Sequence, residues 1–170
     1  EILHGMLYEG GIMIMSGPSK CRKTYTAMSL ACAIALGYEW LGRKTTQCPV
    51  IYLNLELDTY SAKERLVHIA HALGVEPPGN LYMFNARGAG LKATLDWFRR
   101  WLPKVIKLTG ARLIVIDPLY KISSASGVEE NSNNEIGAFI YDLETICQRC
   151  GGIAIVIAHH FAKGNQSAKN

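Results

Sequence analysis

A chain of 170 residues makes one ordinary domain, long enough to bury a hydrophobic core. Its 49% hydrophobic and 19% charged residues exclude a disordered polypeptide, and its apolar stretches are too short to cross a bilayer as helices. A net charge of +4 permits a polyanionic partner without requiring one.

Apolar runs alternate with amphipathic ones along the chain. Residues 12–16 read as a strand, and 24–36 as a helix ended by Gly37. Residues 50–55 form the next strand, and 61–73 a helix stopped by Gly74 and the Pro77-Pro78 pair. A short strand at 81–84 precedes a helix from 91 to about 108. Residues 113–116 are a strand, 123–134 a polar loop, 136–150 a helix closed by Gly151-Gly152, and 153–158 the last strand. Strand runs of four to six apolar residues between helices predict parallel strands covered on both faces. The fold class is therefore α/β, a doubly wound and mainly parallel sheet of about five strands. The final segment, 165–170, is polar and reads as the start of a mobile loop or a truncation point in one domain spanning 1–170.

Ligands of such sheets bind at the carboxyl ends of the strands. Gly17-Pro18-Ser19-Lys20-Cys21-Arg22-Lys23-Thr24 follows the first strand and opens the first helix. That placement suits a phosphate-binding loop: backbone N–H groups gather in one concavity ahead of the positive end of a helix. Lys23 would meet the β- and γ-phosphates, and the Thr24 hydroxyl a magnesium ion. The usual pattern, G-x-x-x-x-G-K-[ST], has glycine where this chain has Arg22. Glycine there permits unusual backbone angles and close approach to phosphate. Arg22 either points outward, adds charge near the phosphates, or strains the loop. The intact Lys-Thr pair favours an ordinary φ with the side chain in solvent, so Arg22→Gly should change nucleotide affinity less than about threefold.

Three further strand ends carry polar residues. Leu113-Ile114-Val115-Ile116-Asp117 is an apolar strand ending in a carboxylate that can hold Mg²⁺ opposite Thr24. Glu56 closes Ile51-Tyr52-Leu53-Asn54-Leu55-Glu56. It reads either as a base for an attacking water or as the acidic start of the next helix. His159 and His160 end the last strand, where a polar side chain can contact a γ-phosphate. Adjacent strand residues point to opposite faces, which disfavours joint metal binding by the pair.

Cys147 and Cys150 end a periodic apolar helix with no second Cys/His pair at suitable spacing, so core packing is the favoured reading. Five scattered cysteines and the lack of a signal peptide point to a reducing cytoplasm. The 91–108 helix carries Leu91, Leu95, Phe98, Leu102, Val105 and Ile106 on one side. Lys92, Arg99, Arg100, Lys104 and Lys107 lie on the other, with Asp96 alone among them. This face reads either as a polyanion or subunit contact, or as an ordinary solvated surface. Trp97 and Trp101 sit at the apolar margin, where packing is expected.

Together the 17–24 loop, the Glu56 strand, the Asp117 strand with Glu129-Glu130-Asn131-Ser132, and Ala158-His159-His160-Phe161-Ala162-Lys163-Gly164 resemble a RecA-like P-loop ATPase. The resemblance is to the branch of AAA-type ATPases that includes plasmid RepA hexameric helicases and DnaB- and KaiC-type motors, and it covers nearly the whole chain. It implies ATP and Mg as ligands, with Glu56 as catalytic base and the His159 strand between the Gly17 and Asp117 strands. It also implies homo-oligomers, hexamers or filaments, with ATP at subunit boundaries and single-stranded DNA as partner of a hexamer. The family's later strands and arginine finger are absent from these residues. Such a finger can be worth about 10³–10⁵ in rate, so slow hydrolysis is expected of the chain alone. The leading expectation is an ATPase motor for plasmid, phage or mobile-element replication. Its alternatives are a nucleotide-gated regulatory switch and a non-hydrolysing scaffold.

Overall fold

The computed structural model describes residues 1–18, 20–88, 92–128 and 133–160, with the side chains of Asn133 and His160 excepted. The elements in order are β1 (Ile12–Gly17), α1 (Lys23–Leu36), β2 (Val50–Asn54), α2 (Thr59–Ala72) and β3 (Leu81–Asn85). They are followed by α3 (Leu95–Thr109), β4 (Leu113–Asp117), α4 (Tyr120–Ala125), α5 (Asn133–Arg149) and β5 (Ala154–His160).

The five strands form one sheet in the order β1-β5-β4-β2-β3, and every neighbouring pair is parallel. This is the doubly wound α/β arrangement, with β5 between β1 and β4. All residues of β2 and β4 are buried, as expected of central strands covered on both faces. Strand alternation sorts the core. Val50, Tyr52, Leu113, Val115, Ala154 and Val156 pack with α1 and α2 on one face. Ile51, Leu53, Ile114, Ile116, Ile155 and Ile157 pack with α3, α4 and α5 on the other.

Helix α1 is rich in small residues and buried around most of its girth, because the N-terminal segment covers the side turned away from the sheet. Ile2, Leu3 and Leu7 are fully buried in that cover, a role their sequence pattern did not reveal. Gly37 ends α1 in the left-handed region, its N–H returning to the carbonyls of Ala33 and Ile34.

Several expected boundaries move. The polar loop expected over 123–134 begins with helix instead, since Leu119 and Ile122 are buried and pull Tyr120–Ala125 into α4. Of the rest of that loop, 126–128 follow α4, 129–132 lie outside the described residues, and Asn133 and Asn134 already belong to α5. The third helix starts at Leu95 rather than 91, because the Thr94 hydroxyl accepts from the Trp97 N–H at 3.2 Å and fixes the first turn. Leu91 lies outside the described residues, and Lys92 precedes the helix. The exposed basic face of α3 is therefore Arg99, Arg100, Lys104 and Lys107, with Asp96 paired to Arg99 at 3.1 Å. Trp97 stacks on Trp101 with centroids 4.8 Å apart, and Trp101 meets Phe84 edge-on at 5.2 Å, so both indoles pack.

Candidate nucleotide site

The loop from β1 to α1 is built around Lys23. Its ammonium donates to the carbonyls of Gly17 at 2.8 Å and Pro18 at 2.7 Å, with the Cys21 Sγ at 3.5 Å. Lys23 is buried, and its two shortest contacts are these neutral carbonyls. Gly17 is required by space: a Cβ there would meet the Cys21 sulfur at 2.8 Å. Among the described residues α1 receives no side-chain cap, and its first-turn N–H groups are directed to the loop. Ser19 lies outside the described residues.

Arg22 departs from expectation. Its φ is 65° and ψ 26°, in the left-handed region, and Lys20 has φ 66°. The chain curls through these two residues to bring the loop carbonyls onto Lys23, and the Arg22 carbonyl already accepts from Thr26 at 3.1 Å. An intact Lys-Thr pair therefore does not imply an ordinary φ one residue earlier. The Arg22 side chain is exposed but also lines the cavity at this loop, so it is not turned to solvent alone.

The opposite wall comes from β2 and β4. Asp117 is buried at 4% exposure, and its Oδ2 accepts from the Tyr52 hydroxyl at 2.6 Å. Burial first, then the Asp117 charge and hydrogen bond, hold the Tyr52 phenol well above its ordinary value, so it stays protonated and donates. Asn54, also buried, stands beside Asp117 in the β2–β4 register. Its amide NH₂ donates to Leu57 O at 2.8 Å and Asn85 Oδ1 at 2.7 Å. Its Oδ1 accepts from the N–H groups of Glu56 at 3.3 Å and Leu57 at 3.0 Å. Arg87 donates to the Glu56 carbonyl at 2.8 Å. The backbone carrying Glu56 is thus held at several points while its side chain reaches solvent. Asp58, not Glu56, caps α2, accepting from the Ser61 N–H at 2.9 Å.

These parts converge on one cavity of about 410 Å³, lined by Lys20, Cys21, Arg22, Lys23, Thr24 and Tyr25 from the loop side. Glu56, Leu57, Arg65 and Asp117 complete it. The Arg65 guanidinium lies 4.9 Å above the Tyr25 ring. Four cations, Lys20, Arg22, Lys23 and Arg65, face two carboxylates, Glu56 and Asp117, so the cavity suits a polyanion.

Comparisons with known proteins give the family and the fold. The profile of a family described as AAA domain matches residues 1–166. The chain belongs to that family. A KaiC-like protein from the hyperthermophilic archaeon Pyrococcus horikoshii OT3 shares the fold with a TM-score of 0.64 and 18% identity. The match covers 96% of this chain and 67% of that one. No curated protein sequence matches significantly. The chain is a RecA-like P-loop ATPase domain.

The residues of this AAA domain also fit the metal that its family uses. Thr24 offers a half-buried hydroxyl and Asp117 a buried carboxylate on the same cavity, both hard oxygen donors. Among the described residues no cluster of three His, Cys, Asp or Glu side chains could cage a metal. Magnesium is commonly held by one or two such oxygens together with phosphate oxygens. Among the described side chains that line the cavity His159 does not appear, and the side chain of His160 lies outside the described residues. The two histidines lie within β5, paired with Ser16 and Gly17, and His159 shares its strand face with Ile155 and Ile157. Its Nδ1 is buried without a hydrogen-bond partner among the described residues.

Burial raises the Cys147 thiol to about 12, with Cys150 adding to the effect, and Cys147 packs with Leu143 and Ile146 in the core. The packing expectation for Cys147 and Cys150 therefore stands. Sequence reading passed over Tyr52, Asn54, Tyr25 and Arg65. A signal existed for the first: a tyrosine in a buried aliphatic strand needs a partner for its hydroxyl.

Proposed function

We propose that the chain binds Mg·ATP in this cavity and hydrolyses it as the motor core of a RepA-like replicative DNA helicase. The observation that carries the reading is the convergence of Lys23, Thr24, Glu56 and Asp117, from three strand ends, on one cation-rich cavity. Lys23 exchanges the carbonyls of Gly17 and Pro18 for β- and γ-phosphate oxygens. The amides of the 17–24 loop and the N-terminus of α1 bind the remaining phosphate charge. Thr24 and Asp117 hold Mg²⁺, which when bound neutralises charge on the phosphates. Glu56, its backbone fixed by Asn54 and Arg87, accepts the proton of the attacking water. Of the pair that ends β5, His160 follows the state of the γ-phosphate, since His159 shares its strand face with Ile155 and Ile157.

The helicase assignment rests on the sequence resemblance and is supported by the exposed basic face of α3, which suits single-stranded DNA or a neighbouring subunit. In this reading the protein works in the cytoplasm as a homo-hexamer. Among the described residues no helix is long and apolar enough to cross a membrane.

Phosphate release from ATP, measured with and without single-stranded DNA, tests the reading. DNA-stimulated release that Glu56→Gln abolishes supports it. ATP-driven assembly without DNA stimulation would replace the helicase by a nucleotide-gated switch, and failure to bind nucleotide would leave only a scaffold.

A further inference from the structure

Strand β2 contributes a group of its own to the site, ahead of Glu56, which follows its carboxyl end. Tyr52 is fully buried, at 0% exposure, between the aliphatic side chains of β2 and β4 and helix α1. Filling that space needs an aromatic ring but no hydroxyl, and a buried hydroxyl is costly unless it is hydrogen-bonded. Here the hydroxyl lies 2.6 Å from Asp117 Oδ2, the separation of a strong O–H to carboxylate bond. The register makes this contact possible. Tyr52 pairs with Val115 and Asn54 with Asp117, so Tyr52 and Asp117 share one face and the ring reaches diagonally along the sheet.

We propose that Tyr52 is a positioning residue for Asp117, fixing the rotation of its carboxylate towards the cation shared with Thr24. This rests on the reading of Asp117 as a magnesium ligand. Asp117 is nearly as buried as Tyr52, so the phenol replaces water as the group that orients this carboxylate oxygen. Partners behind a metal ligand commonly change metal affinity about 10–100-fold when removed. A structural tyrosine and a positioning tyrosine therefore differ in what their loss does to magnesium dependence.

The test titrates Mg²⁺ against a fixed concentration of fluorescent ADP, and measures ADP affinity in EDTA, for the parent, Tyr52→Phe, Asp117→Asn and the double variant. Tyr52→Phe keeps the ring and removes one oxygen. It should raise the Mg²⁺ half-point about tenfold and leave the affinity in EDTA unchanged. In the Asp117→Asn background the same change should shift the half-point no further. An unchanged half-point in Tyr52→Phe, or an equal loss of affinity with and without Mg²⁺, overturns the positioning role and leaves Asp117 as a ligand. If Asp117→Asn itself leaves the half-point unmoved, the metal reading of Asp117 fails and the positioning role falls with it.

Discussion

Replacing Arg22 by glycine separates backbone strain from charge in the phosphate loop. A left-handed conformation costs a residue with a Cβ about 1–2 kcal/mol, and Arg22 adopts it at φ 65°. Glycine removes that cost but loses about 0.5–1 kcal/mol through the greater freedom of its unfolded chain. The difference favours Arg22→Gly by about 0.7 kcal/mol. For a chain of 170 residues this corresponds to a rise in melting temperature of about 2 °C. Arg22→Ala is the control, since alanine removes the guanidinium yet keeps the Cβ and its strain. Differential scanning calorimetry of the ligand-free chain should rank glycine above the parent and alanine below glycine. Calorimetric titration with Mg·ADP then compares the two variants, both lacking the cation. Because the ligand-free loop already holds Arg22 at φ 65°, the relief appears in stability, and glycine should bind within about threefold of alanine. An alanine variant as stable as the glycine variant, or more so, refutes the argument from strain.

Lys23→Ala removes the buried ammonium at the centre of the loop, so Mg·ADP binding should fall below calorimetric detection; unchanged affinity would dismiss the loop as the site. Glu56→Gln should bind ATP as the parent does while phosphate release drops at least about 100-fold, the usual scale of general-base catalysis. Of the five cysteines, exposed Cys21 should be alkylated first at neutral pH and be protected by Mg·ADP. Cys32 and Cys147, whose thiols burial raises to about 11 and about 12, should react only on unfolding, as mass spectrometry of the labelled peptides would show. Thr94→Ala removes the cap of α3 and should cost about 1 kcal/mol of stability in a denaturant melt, with nucleotide affinity unaffected.

The strands were legible because fully covered parallel strands must be continuous apolar runs, and of the polar residues read at their carboxyl ends Glu56 and Asp117 line the cavity. Helix α4 was not legible. Its serines are ordinary loop residues, and only the burial of Leu119 and Ile122 against the far face of the sheet makes it helical. The start of α3 was misplaced because an apolar period outweighed one local hydrogen bond from Thr94. The backbone angle of Arg22 depends on how the loop closes over Lys23, which residue type alone does not encode. Arg65 and Tyr25 lie on different helices and meet only once α1 and α2 share a face of the sheet.

The pairing of β2 with β4 has a consequence for tolerated sequence change. Val50 sits opposite Leu113 and Asn54 opposite Asp117, in a continuous one-to-one register. Strand side chains alternate, so a one-residue insertion or deletion inside β2 would turn Tyr52 and Asn54 to the α3 side together. The same slip would bring aliphatic residues to the α1 side, where Asp117 and the loop of Glu56 would lose their anchors in one step. Length variation between α1 and β2 is free of this restriction, because the connection over 38–49 makes no ladder with β4. Homologous chains should therefore differ in length there and never within 50–56, whatever residues they carry at those positions.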